Sequence, residues 1–209
     1  MKTYVPFCPD EPKTRLSDVM TEEERVGFVH ACLADVCDSV DTAGAEPVVL
    51  TTQPLDGRAG VADRYQTVVR DEPLTPAVNA VLTDEKKPVA VVVADLPLVT
   101  PDALRRLYEP DAGFVVVPGR GGGTNAFVTR EDGFRVDYHG TSFVDHVERA
   151  RKLGCSVEVV DSFRLSTDAD EPVDLVESLL HGDGNAAGFV EDRFEVAEDG
   201  DDRVSLRRR

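Results

Sequence analysis

The sequence lacks the features by which several common classes of protein are recognised. No apolar run approaches the roughly 20 residues that a helix needs to cross a bilayer, and the first residues lack the charged-then-apolar layout of a secretory signal. The four cysteines include no Cys-x-x-Cys pair and the four histidines are scattered, so neither predicts a metal or redox motif. We therefore expect a soluble, cytoplasmic protein whose cysteines and histidines are structural or face solvent.

Lysine is also scarce, and acidic residues dominate the charge. The chain has 40 acidic and 23 basic residues, a formal net charge of −17, and lysine only at positions 2, 13, 86, 87 and 152. Such a charge repels nucleic acids and anionic membranes, so neither is expected as a partner. Its self-repulsion largely disappears at molar salt, where the screening length falls to about 3 Å. This balance favours a halophilic protein; the alternative is an ordinary acidic one.

Length and composition predict one domain. The chain has 209 residues, of which 41% are hydrophobic, which is enough to form a core without disulfides or metals. Residues 1–190 are assigned to a single domain because no internal repeat and no second domain are visible. In residues 191–209 the composition turns acidic and the apolar spacing fades, so we expect a mobile C-terminal extension.

Alternating apolar segments predict the fold class. Thr21 and Glu24 form a capping-box pattern before an amphipathic helix that ends near Gly44. Residues 88–94 form an apolar run without alternation, which is typical of a strand covered on both faces. Further strands are predicted at 48–51, 113–117, 125–129 and 155–160, and further helices from Thr100-Pro101 to Leu107, from a Ser142 cap to about Leu153, and from Pro172 to Leu180. The pattern predicts a three-layer α/β fold, a mostly parallel sheet with helices on both faces.

Two cations lie in a proline-rich loop after the first apolar segment. Lys13 and Arg15 follow Val5-Pro6-Phe7 in an otherwise anionic chain. In open α/β sheets ligands bind outside the carboxyl ends of the strands, and cations placed there can clamp a triphosphate. The alternative is that both are solvated surface charges.

Three carboxylates are candidates for a metal site. Asp95 directly follows the apolar run 88–94, and Asp168 and Asp170 lie on one side of an extended segment before Pro172. Mg²⁺ is usually held by one or two carboxylates together with substrate phosphates. We expect Asp95 and either Asp168 or Asp170 to bind Mg²⁺ while the other caps the helix. The alternative for Asp95 is a helix or turn cap.

Two glycine-containing turns are candidates for anion binding. Residues 119–123 contain four glycines, and successive glycines let backbone N–H groups approach an anion closely. Arg120 and Thr124 can add a guanidinium and a hydroxyl. Ser142 follows Gly140 at a predicted helix start, where anions are attracted. A glycine-rich loop can equally be a plain turn, and Asn79, near another predicted helix start, is either a nucleotide contact or a buried amide.

Taken together, these segments resemble the archaeal 2-phospho-L-lactate guanylyltransferases of coenzyme F420 biosynthesis, which are relatives of the molybdenum-cofactor guanylyltransferases. The resemblance extends from Val5 to about Gly188, and the order of the segments is more specific than any one of them. One departure is Cys8, where the family often carries a lysine. The segments that carry the resemblance are Val5-Pro6-Phe7, 12–17, 94–101, 118–125, Gly140-Thr141-Ser142-Phe143 with His146, and 168–175.

The resemblance implies a nucleotidyltransferase-like fold, related to that of nucleotide-diphospho-sugar enzymes, and a homodimer. It implies that GTP and 2-phospho-L-lactate give lactyl-2-diphospho-5′-guanosine and pyrophosphate; some relatives accept phosphoenolpyruvate or 3-phosphoglycerate. The acceptor phosphate is already ionised at neutral pH, so no general base is required. The implied roles are catalysis by Asp95, Lys13 and Arg15; nucleotide binding by Lys13, Arg15 and Asn79; acceptor binding by Arg120, Gly123, Thr124, Gly140 and Ser142; and metal binding by Asp95, Asp170 and Asp168.

Two rival functions share these features. One is a sugar-nucleotide, glycosyl or molybdopterin-type transferase, because a fold does not fix function. A glycosyltransferase would need an Asp-x-Asp motif at the strand end, whereas Asp95 is followed by Leu96-Pro97. The other rival is a non-catalytic nucleotide-binding regulator, which would leave the carboxylates and the glycine loop without a purpose.

Overall fold

Strands and helices alternate along the chain in the computed structural model, which describes residues 1–10, 13–55, 57–199 and 203–209. The strands are β1 (Lys2–Phe7), β2 (Glu46–Thr51), β3 (Gln66–Val69), β4 (Val89–Val92), β5 (Phe114–Pro118), β6 (Thr124–Thr129), β7 (Val157–Val159), β8 (Phe194–Asp199) and β9 (Arg203–Arg208). The helices are α1 (Glu22–Thr42), α2 (Val61–Arg64), α3 (Leu74–Asp84), α4 (Pro101–Tyr108), α5 (Ser142–Lys152), α6 (Phe163–Ser166), α7 (Pro172–His181) and α8 (Asn185–Glu191).

The central sheet has seven strands in the order β3-β2-β1-β4-β6-β5-β7. Strand β6 runs antiparallel to β4 and β5, and the other pairs are parallel. In β4, Ala90 and Val92 join one buried apolar cluster, whereas Val89 and Val91 join another. The absence of alternation in this strand therefore arises because both of its faces are buried. The three-layer, mostly parallel α/β architecture is confirmed.

Two helix starts have the caps expected from the sequence, and one does not. The Thr21 hydroxyl accepts from the backbone N–H of Glu24 at 3.3 Å, and the Glu24 carboxylate accepts from that of Thr21 at 2.9 Å. Thr100 caps α4, whose first residue is proline. The cap of α5, however, is Thr141, with no side-chain cap bond. Ser142 is the first helical residue and is buried, so its prediction as the cap is wrong.

The C-terminal extension is a hairpin in the part of it that the structure describes. Strands β8 and β9 pair antiparallel, and the Arg208 guanidinium donates to both Glu24 carboxylate oxygens at 3.0 and 2.7 Å. Phe194 is buried in a third apolar cluster with Leu16 and Ala169. The expectation that apolar spacing fades in this segment is therefore wrong. The acidic composition concealed the alternation of Phe194, Val196, Val204 and Leu206, which is strand-like.

This topology fixes where polar loop residues meet. Strands β1, β2, β3 and β4 are parallel, so their carboxyl ends lie along one edge of the sheet. Within the described residues, no helix is both long and apolar enough to cross a membrane.

Candidate active site

A cavity of about 560 Å³ lies along this edge of the sheet. Its wall is formed by the residues that follow β1, β2, β3 and β4, together with Asp170 from the segment before α7. Volumes of 300–1,000 Å³ are typical of small-molecule sites. Its position outside the carboxyl ends of parallel strands is where open α/β folds bind ligands.

Lys13, Asp95 and Asp170 meet at one end of the cavity, and we call these three residues the carboxylate clamp. The Lys13 ammonium donates to Asp95 Oδ2, and to Asp170 Oδ1 at 2.6 Å. Only 12% of the Lys13 side chain is exposed, so the ammonium has few water contacts to replace these two partners. Asp95 and Asp170, which lie 82 and 157 positions from Lys13 in the sequence, thus converge on one cation.

The backbone of Lys13 is strained. Its φ of 53° and ψ of 49° lie in the left-handed region, which costs a residue other than glycine on the order of 1–3 kcal/mol. The buried side chain of Leu16 anchors the turn that follows, and its N–H donates to the Lys13 carbonyl at 2.9 Å. Such strain persists only where the surroundings over-determine it, and it clusters at functional sites.

Charge and burial act against each other in this region. Burial lowers the pKa of Lys13, but the charges of Asp95 and Asp170 and their hydrogen bonds outweigh it and hold that pKa above its ordinary value. Burial raises the pKa of the Asp168 carboxyl. A hydrogen bond from Asn125 at 3.1 Å acts to lower this pKa, and the charge of Asp95 acts to raise it further. A cation is therefore the natural partner of Asp95 and Asp170.

The clamp fits the donor set that a magnesium ion needs. Asp95 and Asp170 already share one positively charged group, and carboxylate oxygens are the ligands that Mg²⁺ prefers. One Asp168 oxygen accepts from Asn125. No three His, Cys, Asp or Glu side chains among the described residues are arranged to hold a metal ion. Asp95 and Asp170 are thus the candidate ligands of such an ion among the described residues.

Two arginines extend the positive charge around Asp170. Arg15 Nη1 lies 3.5 Å from Asp170 Oδ2, with 69% of its side chain exposed. Arg120 Nη1 donates to Asp174 Oδ1 at 3.1 Å, and Asp174 Oδ2 accepts from the Asp170 N–H at 3.0 Å. Arg120 is therefore separated from the clamp by one carboxylate, whereas Arg15 lies directly beside Asp170.

The hydroxyl of Thr124 faces the protein interior. It lies 2.9 Å from Nδ1 of His146, and the Asp137 N–H donates to Nε2 of the same ring at 2.9 Å. Because Nε2 accepts, a neutral His146 carries its proton on Nδ1 and donates it to Thr124. Burial and the charge of Arg149 lower the pKa of His146 to about 4. Thr124 was predicted to offer its hydroxyl to an anion; in the structure a buried imidazole binds that hydroxyl.

The other predicted ligand contacts are divided between surface and interior. Gly140 is exposed and Gly123 is partly exposed, and the turns that contain them touch through the Phe143 N–H, which donates to the Gly122 carbonyl at 3.2 Å. Asn79 does not line the cavity. Its partly buried amide donates to the Val136 carbonyl at 3.0 Å and accepts from the Val136 N–H at 2.8 Å.

Sequence reasoning assigned no role to Asn125. Its amide donates to the Leu165 carbonyl and to Asp168, both at 3.1 Å, and so fixes the segment that carries the acidic residues. Asn125 also packs so closely on Gly119 that a Cβ at that position would clash with the amide. The sequence signal that could have identified Asn125 was a side-chain amide close after a glycine loop.

Comparisons with known proteins agree with this geometry. A family model described as "Guanylyl transferase CofC like" matches residues 1–204. Proteins named 2-phospho-L-lactate guanylyltransferase are similar: that of Natronomonas pharaonis is 50% identical over all of both chains. That of Halomicrobium mukohataei is 52% identical over 91% of each chain.

Solved structures are similar in fold. A proposed nucleotide-diphospho-sugar transferase from Desulfovibrio desulfuricans G20 has a TM-score of 0.73 at 15% identity, with 91% of this chain and 94% of that chain covered. A nucleotidyl transferase from Methanothermobacter has a TM-score of 0.57 at 14% identity, with 84% and 94% covered. At these identities the likeness concerns the fold alone.

Proposed function

Because the chain belongs to the family of CofC-like guanylyl transferases, we propose that it transfers the guanylyl group of GTP to 2-phospho-L-lactate in coenzyme F420 biosynthesis. The products are lactyl-2-diphospho-5′-guanosine and pyrophosphate. The observation that carries the proposal is the convergence of Lys13, Asp95 and Asp170 in a cavity at the carboxyl ends of parallel strands. Relatives named 2-phospho-L-lactate guanylyltransferase match 91–100% of the chain.

The reaction is a displacement at phosphorus. A phosphate oxygen of the acceptor forms a bond to the α-phosphorus of GTP, and the bond from that phosphorus to the bridging oxygen breaks, so that pyrophosphate leaves with the electron pair. The acceptor phosphate has a second pKa near 6, so it is ionised at neutral pH and requires no base. Catalysis then consists of holding two anions in line and offsetting their repulsion.

The clamp residues have the chemistry to hold the triphosphate. Lys13 and Arg15 orient its phosphates, and Asp95 and Asp170 would hold Mg²⁺, which would supply neutralising charge to the phosphates. In this proposal the Lys13 ammonium exchanges its carboxylate partners for phosphate oxygens. Asp168, which Asn125 holds, is a supporting carboxylate.

The acceptor occupies the side of Asp170 that faces Arg120. The guanidinium of Arg120 suits a phosphate or carboxylate. The partly exposed Gly123 and the exposed Gly140 offer backbone groups close by. Thr124 and Ser142, both buried, shape these two turns from beneath.

Product analysis by mass spectrometry tests this function. The protein is incubated with Mg²⁺, each of four nucleoside triphosphates, and 2-phospho-L-lactate, phosphoenolpyruvate or 3-phosphoglycerate. We expect a diphosphate-linked guanosine product with GTP and 2-phospho-L-lactate. A product with phosphoenolpyruvate alone would change the acceptor but keep the reaction. A sugar-nucleotide product, or binding without any turnover, would support one of the rival functions.

We also propose that residues 1–190 form a single domain and that the enzyme works as a homodimer in a salt-rich cytoplasm. The net charge of −17 supports the salt requirement, because self-repulsion is strongest in dilute buffer. We expect the melting temperature to rise steadily from dilute buffer to molar KCl. A midpoint that stays flat or falls would contradict the halophilic interpretation.

A further inference from the structure

The cavity extends well beyond the carboxylate clamp. Strand β3 is three positions from β4 in the sheet, a distance of about 14 Å at the usual strand spacing. The clamp lies beside β1 and β4, whereas Arg70, Glu72, Leu74 and Ala77, which follow β3, line the opposite end. A triphosphate held by the clamp therefore leaves this far end for the nucleoside.

Among the described residues, four carboxylates line the cavity, and three of these have partners. Asp95 and Asp170 accept from Lys13, and Asp10 accepts from the Gln53 amide at 2.7 Å. The fourth is Glu72, whose side chain makes no hydrogen bond or ion pair with any residue in the described part of the chain. A carboxylate that lacks a donor in a ligand cavity is an acceptor available to the ligand.

The neighbouring arginine does not neutralise Glu72. Arg70 Nη2 donates to Asp84 Oδ2 at 2.9 Å, which directs a terminal nitrogen of its guanidinium to α3. The backbone places Glu72 through a short turn, in which its N–H donates to the Arg70 carbonyl at 2.9 Å and the Arg70 N–H donates to the Thr51 carbonyl at 2.8 Å. The position of Glu72 is thus tied to the end of β2.

We propose that Glu72 reads the base of the nucleotide, accepting hydrogen bonds from the N1–H and the 2-amino group of guanine. Guanine presents two adjacent donors on this edge, which match the two oxygens of a carboxylate. Adenine presents an acceptor at N1, which would face the carboxylate and be repelled. Leu74 and Ala77 provide apolar surface beside this position for the face of the base. This inference rests on the proposed function, because it names Glu72 as the residue that selects the nucleotide in that reaction.

Equilibrium binding of nucleotides, measured by calorimetry with Mg²⁺ and without acceptor, tests this proposal. ITP lacks only the 2-amino group of GTP, and 2′-deoxy-GTP lacks only a ribose hydroxyl. We expect the wild-type protein to bind GTP about ten- to a hundredfold more tightly than ITP, the range for a hydrogen bond to a charged group. In Glu72→Ala, the binding of both nucleotides should weaken and the preference for GTP over ITP should disappear, while the ratio of GTP to 2′-deoxy-GTP stays unchanged.

Asp71→Ala is the matched control, because Asp71 is the adjacent exposed carboxylate and is not among the described residues that line the cavity. It should keep the wild-type preference for GTP over ITP. The proposal is overturned if Glu72→Ala keeps that preference, or if it changes only the response to 2′-deoxy-GTP, which would assign Glu72 to the ribose. Since no turnover is measured, a protein that binds GTP selectively but releases no pyrophosphate would contradict the proposed function and leave the role of Glu72 intact.

Discussion

The carboxylate clamp and the glycine loop at 119–123 keep their polar groups in opposite ways. In the clamp, the charged groups of Lys13 and Asp95 face a cavity and satisfy one another. Beside the glycine loop, the Thr124 hydroxyl is turned inward and bound by His146. The clamp can therefore exchange its internal partners for those of a ligand. The glycine loop has backbone groups and Arg120 to offer to a ligand.

The largest expected effect on turnover comes from removing a carboxylate of the clamp. Asp95→Asn should reduce turnover by about a hundredfold or more, because a neutral amide coordinates Mg²⁺ poorly and metal ions contribute several kcal/mol to such reactions. Asp102→Asn is the control, since that exposed carboxylate pairs only with Arg105 among the described residues. Pyrophosphate release measures both variants. Turnover of Asp95→Asn within threefold of wild type would remove Asp95 from the mechanism.

A pH titration of stability tests whether the Thr124–His146 pair is sealed in the interior. The pKa of His146 is lowered from 6.5 to about 4, so between these values the unfolded chain binds more protons than the folded one. Stability should therefore fall as the pH drops from 6.5 towards 4, with a contribution from His146 of at most about 3 kcal/mol. The measurement is the free energy of unfolding of wild type and of His146→Gln across this range. Equal pH slopes would mean that His146 is solvated.

A smaller effect distinguishes the two arginines. Arg15→Ala should raise the KM for GTP about tenfold and leave that for the acceptor nearly unchanged, since it removes one contact to a charged phosphate. Arg120→Ala should raise the KM for the acceptor by a similar factor and spare GTP. Both side chains are about half exposed or more, so neither change should alter the melting temperature strongly. A reversed pattern would exchange the two half-sites.

The sequence predicted that Lys13, Asp95 and Asp170 meet, because topology brings residues at the carboxyl ends of strands to one edge of the sheet. Lys13, Asp95 and Asp170 lie far apart in the chain, yet each follows or faces the carboxyl end of a strand. The direction of a short hydroxyl is set by whichever partner packs beneath it. For Thr124 that partner is His146, 22 residues away, and no local pattern reveals it.

The other differences between the sequence predictions and the structure also come from features that a local apolar pattern does not show. The antiparallel direction of β6 follows from the short glycine turn that joins it to β5, which the apolar pattern does not encode. The β8–β9 hairpin was missed because charged residues diluted its alternation. Asn79 was predicted near a helix start, but it lies in the middle of α3, and its amide pairs with the backbone of Val136, a contact 57 residues away.

A crystal structure with GTP and Mg²⁺ bound tests the central claim most directly. We predict that the triphosphate lies against Lys13 and Arg15, with the metal ion between Asp95 and Asp170 and the ammonium of Lys13 moved from the carboxylates to phosphate oxygens. A triphosphate seated on the glycine loop beside Arg120, with the contacts of Lys13 to Asp95 and Asp170 intact, would contradict this account.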